Sequence, residues 1–129
     1  MKETTKFWLR SASDDLHVIS KITSDPTLTN MVAFHAQQCI EKSLKAFIED
    51  KGLELPKIHD LIRLFNIASL EIQDNWKQKI IILNDLYTQA RYPGEIGLLP
   101  DGKPDLKQAK DFAKTANEIY NAILKLTQV

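Results

Sequence analysis

Apolar side chains recur every three or four residues through most of the chain, and the alternation typical of strands is absent. This spacing indicates amphipathic helices, because an α-helix completes one turn in about 3.6 residues. The predicted apolar face of the first helix consists of Trp8, Ala12, Leu16, Ile19 and Ile22. The helix is expected to end between Thr23 and Pro26, where the sequence SDPT is typical of a turn.

A second helix is predicted from Thr29 or Asn30, either of which suits an N-cap, to Asp50, with Gly52 as its stop signal. Its predicted core face consists of Val32, Ala36, Cys39, Ile40, Ser43, Leu44 and Phe47. The opposite, polar side carries Gln38, Lys42, Lys45 and Glu49, with His35 at its flank. The pattern leaves open whether this side meets only water or binds a ligand.

Three further helices are predicted. The third has its apolar face at Leu61, Leu64, Phe65 and Ala68. The fourth is capped by Asp74 or Asn75 and has its apolar face at Trp76, Ile80, Leu83, Tyr87 and Ala90. The segment RYPGEIGLLPDGKP holds three prolines and three glycines and is not expected to be regular helix. The last helix starts at Asp105, with Ala109, Phe112, Ala113, Ala116, Tyr120 and Ile123 facing inward.

Short connections between long helices favour antiparallel neighbours. The predicted fold is therefore all-α, an up-and-down antiparallel bundle of four main helices plus a shorter fifth. A length of 129 residues suits one domain, which we expect to span residues 1–129.

The composition of the chain limits the classes of protein to which it can belong. Seventeen basic residues balance seventeen acidic ones, so no general field attracts the whole protein to nucleic acid or to an anionic membrane. The single cysteine excludes an internal disulfide and favours a reducing compartment. The charged N-terminal stretch MKETTKFWLR is unlike a signal peptide, and no run approaches the roughly 18 apolar residues of a membrane span. We expect a soluble cytoplasmic domain that does not contact a membrane.

Three blocks of sequence together resemble the HEPN domain, a family of small helical proteins. These blocks are FHAQQCIEKSLKAFI, then HDL at His59–Leu61, then ARYPG at Ala90–Gly94. The order and approximate spacing of the blocks match, and an early helix with a tryptophan and the sequence DDL at Asp14–Leu16 also fits. The resemblance covers nearly the whole chain.

The resemblance implies a four- or five-helix bundle that forms a homodimer. It also implies a minimal nucleotidyltransferase as partner, in a toxin–antitoxin or defence pair. Some members bind nucleotides, and many are metal-independent ribonucleases. The ribonucleases use an arginine, four to six intervening residues and a histidine, paired across the dimer.

The ribonuclease motif is missing from its expected place. Arg91 is the natural candidate for its arginine, but no histidine follows Arg91 anywhere in the chain. Arg10 and His17 match the spacing formally, but they fall on the first helix, and such a match arises readily by chance. Arginine alone stabilises charge without supplying acid–base chemistry, so no catalytic residue is predicted.

Phosphate or nucleotide binding is the function that the resemblance leaves open. The predicted nucleotide-binding residues are Arg91, Tyr92, Lys45, Lys42, His35, Gln38 and His59. Arg91 suits a phosphate, Tyr92 suits stacking on a base, and the lysines add a cationic stripe. For each of these residues a purely structural role, such as a solvated face or a helix contact, is the alternative. No cofactor or metal is predicted.

Three other functions fit parts of the pattern. The first is a metal-independent HEPN ribonuclease, and the second is a bundle that only binds other proteins. The third is a metal phosphohydrolase of the HD type, which would use His35, His59 with Asp60, and either Asp85 or Asp105. The chain is short for that class, and the block around His35 matches HEPN better.

Overall fold

The computed structural model describes residues 1–88 and 102–128. Their secondary structure consists of the helices α1 (Glu3–Ile22), α2 (Thr29–Asp50), α3 (Leu61–Ile67), α4 (Asp74–Thr88) and α5 (Leu106–Thr127). This part of the chain contains no β-strand, so the predicted all-α class is confirmed.

Capping groups set the ends of three helices, at two of which, Asp105 and Gly52, the sequence predicted them. Asp105 precedes α5, and its carboxylate accepts from the backbone N–H of Gln108, whose side chain in turn accepts from the backbone of Asp105. Asp60 caps α3 in the same way by accepting from the N–H of Arg63. Gly52 has a φ of 71°, the left-handed geometry that ends α2 and that glycine adopts without strain.

The predicted N-cap of α2 is wrong. Leu28 occupies that position without a side-chain cap, and Thr29 is already the first helical residue. The hydroxyl of Thr29 is buried and makes no hydrogen bond to the described residues. α2 therefore begins without a polar side-chain cap.

Contacts along α2 fix the directions of its neighbours. α1 is antiparallel to α2, because Lys2 Nζ donates to the carbonyl of Glu49 at one end and Asp15 meets His35 near the other. α5 is parallel to α2, because their starts are joined by the bond from Lys103 Nζ to the carbonyl of Thr27. α3 and α4 also contact α2, which confirms the up-and-down bundle with one shorter helix.

α2 lies at the centre of the bundle and is buried on more of its circumference than its sequence indicates. Its predicted core face is confirmed, with every member buried. Gln37, Glu41, Lys45, Ala46 and Ile48 are buried as well, because α1, α3, α4 and α5 all pack on this helix. A central helix in such a bundle has no fully solvated side.

Cys39 faces α5 from within this core, and its Sγ lies 4.0 Å from the carbonyl oxygen of Ala116. Burial, with a further contribution from the negative charge of Asp15, raises the pKa of the thiol to about 12. We therefore expect the folded protein to react with a thiol reagent at pH 8 far more slowly than the urea-unfolded protein. Labelling of the native protein at the rate of a free cysteine would contradict this packing.

None of the helices in the described part of the chain combines the length and apolar composition that a membrane crossing needs. Ala90, predicted to face inward, lies outside the described residues, and the side chain of Tyr87 is not described either.

Candidate functional site

Four of the five predicted site residues that the structure describes lie on one side of α2. His35, Gln38 and Lys42 are half-buried there, at the edge where α1 packs on α2, and we call these three residues the polar strip. His59 lies beside the same helix, on the connector before α3. Arg91 and Tyr92 lie outside the described residues.

A buried carboxylate from α1 holds two residues of the polar strip. His35 Nδ1 donates to Asp15 Oδ1 at 2.8 Å, and Lys42 Nζ donates to Asp15 Oδ2 at 2.8 Å. The side chain of Asp15 is 8% exposed, whereas those of His35 and Lys42 are 19% and 22% exposed. We call these three residues the Asp15 cluster. In it, one buried carboxylate holds a partly exposed imidazole and a partly exposed ammonium.

A second buried carboxylate, from α2 itself, organises the neighbouring polar side chains of that helix. Glu41 accepts from Lys45 Nζ at 3.1 Å and from Gln37 Nε2 at 3.2 Å. His59 Nδ1 lies 3.2 Å from both carboxylate oxygens of Glu41. We call these four residues the Glu41 cluster, and Gln38 joins it by donating to Gln37 Oε1 at 2.7 Å.

The position predicted for Lys45 is wrong. The side chain was expected on the solvent side of α2, but it is only 8% exposed. α1 covers it, and its Nζ lies 5.5 Å from the centre of the Trp8 ring as well as against Glu41. Glu41 and Lys45 form an ion pair between residues four positions apart on the helix. An ammonium held by a carboxylate and an aromatic face is a structural contact between helices rather than an open cation.

Asp15 and Glu41 organise the site, and sequence reasoning did not single them out as site residues. The signal for Asp15 was its spacing, because it follows Ala12 by three positions and precedes Ile19 by four, which places it beside the apolar face of α1. Glu41 lies between Ile40, which is buried, and Lys42, which is partly exposed, and its spacing does not identify it as a site residue. Its burial follows from the connector that brings His59 against it.

Each cluster combines one carboxylate with one ammonium and one imidazole. With a neutral imidazole the formal charges within each cluster sum to zero, and with a protonated imidazole they sum to a single positive charge. Because a carboxylate only accepts hydrogen bonds, Asp15 fixes the tautomer of His35 with its proton on Nδ1. The Nε2 atom of His35 then carries the lone pair of the neutral ring.

A separate groove of about 610 Å³ lies on α3 and the segment after it. Its lining consists of Asp60, Ile62, Arg63, Phe65, Asn66, Leu70 and Ile72. None of the predicted nucleotide-binding residues is in this lining, so the groove and the polar strip are different surfaces.

The structure does not assemble the alternative catalytic sets. Arg10 and His17 are both exposed on the outer side of α1, away from the two clusters. His35 and His59 are held by different carboxylates, and Asp60 caps α3. Across residues 1–88 and 102–128 no group of three or more histidine, cysteine, aspartate or glutamate side chains is placed to hold a metal ion.

Comparisons with known proteins agree with this architecture. The family model of the HEPN domain matches residues 5–126. A Methanocaldococcus jannaschii protein named "Putative toxin MJ1304" is 28% identical, over 93% of this chain and 88% of that protein. The crystal structure of ST0689, described as an archaeal HEPN homologue, superposes with a TM-score of 0.75 at 23% identity and covers 99% of this chain and 100% of that chain.

Proposed function

Because the chain belongs to the HEPN domain family, we propose that it is a module that binds a nucleotide or another phosphate-bearing ligand. In this proposal it works with a minimal nucleotidyltransferase partner, in a pair of the toxin–antitoxin or defence type. The name of the Methanocaldococcus jannaschii relative supports the toxin role for this chain. We also propose that the chain forms a homodimer.

The observation that carries the binding role is the Asp15 cluster. Flexible surface lysines lose much rotamer freedom when they bind a ligand, whereas Lys42 is already held at 2.8 Å by a buried carboxylate. His35 is held in the same way beside it, and Gln38 adds an amide on the same strip. A phosphate oxygen accepts hydrogen bonds from the ammonium and the amide, and from the Nε2 of His35 when the ring is protonated, because Nδ1 carries the proton of the neutral ring.

The proposed site contains His35, Gln38 and Lys42, with His59 at its border. Arg91 and Tyr92 are included in the proposed site on the basis of the sequence alone. Arg91 would contact a phosphate and Tyr92 a base. Lys45 is held by Glu41 and by the Trp8 ring, so it is not one of the proposed ligand contacts.

A thermal-shift titration tests the binding role. With EDTA present, we expect ATP or GTP to raise the melting temperature between pH 6 and pH 8, by an amount equivalent to about 2.7 kcal/mol at one hundred times the dissociation constant. Lys42→Gln keeps a hydrogen-bond donor for Asp15 but removes the charge, and we expect it to weaken binding about tenfold. Arg91→Ala is expected to weaken binding by a similar factor.

Lys110→Gln is the matched control, since Lys110 is exposed on α5 and outside both clusters. It is expected to bind as the wild type does. If no nucleotide shifts the melting temperature at any of these pH values, the binding role is wrong and a protein partner becomes the main ligand. RNA incubated with the protein and EDTA, then run on a gel, reports on the ribonuclease alternative, because the proposal predicts intact RNA.

A further inference from the structure

The Asp15 cluster has no formal charge to offer a phosphate while His35 is neutral. Asp15 is buried, and its two oxygens are engaged by Lys42 and His35 at 2.8 Å each. The positive charge of Lys42 is therefore balanced at short range before any ligand arrives. A second anion beside Lys42 would meet the field of Asp15 as well as that of the ammonium.

A proton on His35 changes this balance. The charged groups that share the cluster with His35 are Asp15 from α1 and Lys42 from the same helix. The Phe34 ring packs against the imidazole in a T-shaped arrangement, with 5.1 Å between the two ring centres. Histidine is the side chain that ordinarily takes up a proton near neutral pH. With His35 protonated, the cluster gains a net positive charge at a partly exposed position.

We propose that the phosphate ligand of this site binds together with a proton on His35, so that nucleotide affinity rises as the pH falls. The inference rests on the proposed function and adds the protonation state of the site to it. No bond is made or broken within the ligand, since the proton comes from solvent and is released when the ligand leaves. Linkage requires the reverse effect as well, so bound nucleotide favours the protonated imidazole.

The Glu41 cluster repeats the arrangement with His59, Lys45 and a buried carboxylate. The other titratable group next to His59 in the chain is Asp60, whose carboxylate is engaged by the N–H of Arg63 and the amide of Asn84. The side chain of His59 is 54% exposed, compared with 19% for His35. Solvent screens the charge of His59 more strongly, so we assign the larger effect to His35.

Calorimetric titration of the full chain with ATP in EDTA, at pH 6 and pH 8, tests this inference. ATP changes its own charge in this range, so the comparison is made between proteins with the same ligand. We expect the ratio of affinities between the two pH values to be about tenfold larger for the wild type than for His35→Gln, whose new amide retains a donor for Asp15. His17→Gln, which alters an exposed histidine of α1, is expected to keep the wild-type ratio.

A second pair of variants tests the charge balance directly. Asp15→Asn removes the anion beneath Lys42 and is expected to tighten ATP binding at pH 8 and to reduce the dependence on pH. Asp14→Asn removes the same charge at the neighbouring exposed position and is expected to bind like the wild type. Should Asp15→Asn fail to fold, judged by circular dichroism, the His35→Gln comparison decides alone.

Equal ratios in the wild type and in His35→Gln would overturn the inference while leaving nucleotide binding intact. Absence of ATP binding at both pH values would instead overturn the proposed function, and the inference with it.

Discussion

Replacement of Glu41 by alanine is expected to lower the free energy of unfolding by about 3–5 kcal/mol. Its carboxylate is 6% exposed and accepts from Lys45 and Gln37, with His59 Nδ1 also in contact. Without it the ammonium of Lys45, which is 8% exposed, is left against the face of Trp8. A buried charge without an ionic partner is among the most destabilising changes in a folded protein.

Urea unfolding followed by circular dichroism measures this loss. Glu3→Ala is the matched control, because the carboxylate of Glu3 also pairs with a lysine of its own helix but is 84% exposed. We expect that control to change stability by less than about 0.5 kcal/mol. The double variant Glu41→Leu with Lys45→Met replaces both charges by apolar groups and is expected to recover most of the loss. A loss below about 1 kcal/mol for Glu41→Ala would mean that water reaches the ion pair.

Leu44→Ala is expected to lower the free energy of unfolding by about 3 kcal/mol. Leu44 is fully buried on α2, the helix that contacts each of the other four among the described residues. Removal of its isopropyl group leaves a cavity that α2 cannot close by moving, because neighbouring helices hold α2 on several sides.

Leu53→Ala gives the comparison for this core variant. Leu53 carries the same side chain just beyond α2 but is 45% exposed. We expect its replacement to change stability by about 0.5 kcal/mol or less, measured in the same urea titration. Similar losses for the two variants would contradict the central position of α2.

Helix positions and the core face of α2 were predictable because they depend on local spacing. Leu44, Ile40 and Ala36 share one side of a helix whatever the helix packs against. Asp105 and Gly52 were also predictable, because a capping carboxylate and a left-handed glycine act within a few residues.

The environment of Lys45 was not predictable from local spacing, because it depends on which helices surround α2. A lysine opposite the apolar face of an isolated amphipathic helix meets water, whereas here α1 lies over that side and places Trp8 against the ammonium. The partners of His35 and His59 have the same origin, since Asp15 is twenty residues from His35 and Glu41 is eighteen from His59. Local spacing identified the candidate residues, but tertiary contacts decide which of their charges are open to a ligand.

The packing of α5 on α2 has a consequence for synthesis on the ribosome. α5 (Leu106–Thr127) is the last of the described helices to be made, yet it covers the side of α2 that carries Cys39. A nascent chain that ends before α5 presents that apolar side, including the thiol, to the surrounding solvent and to chaperones. The bundle therefore closes only after the chain has been extended through α5, although the residues of both clusters, which lie on α1, α2 and the connector before α3, are made earlier.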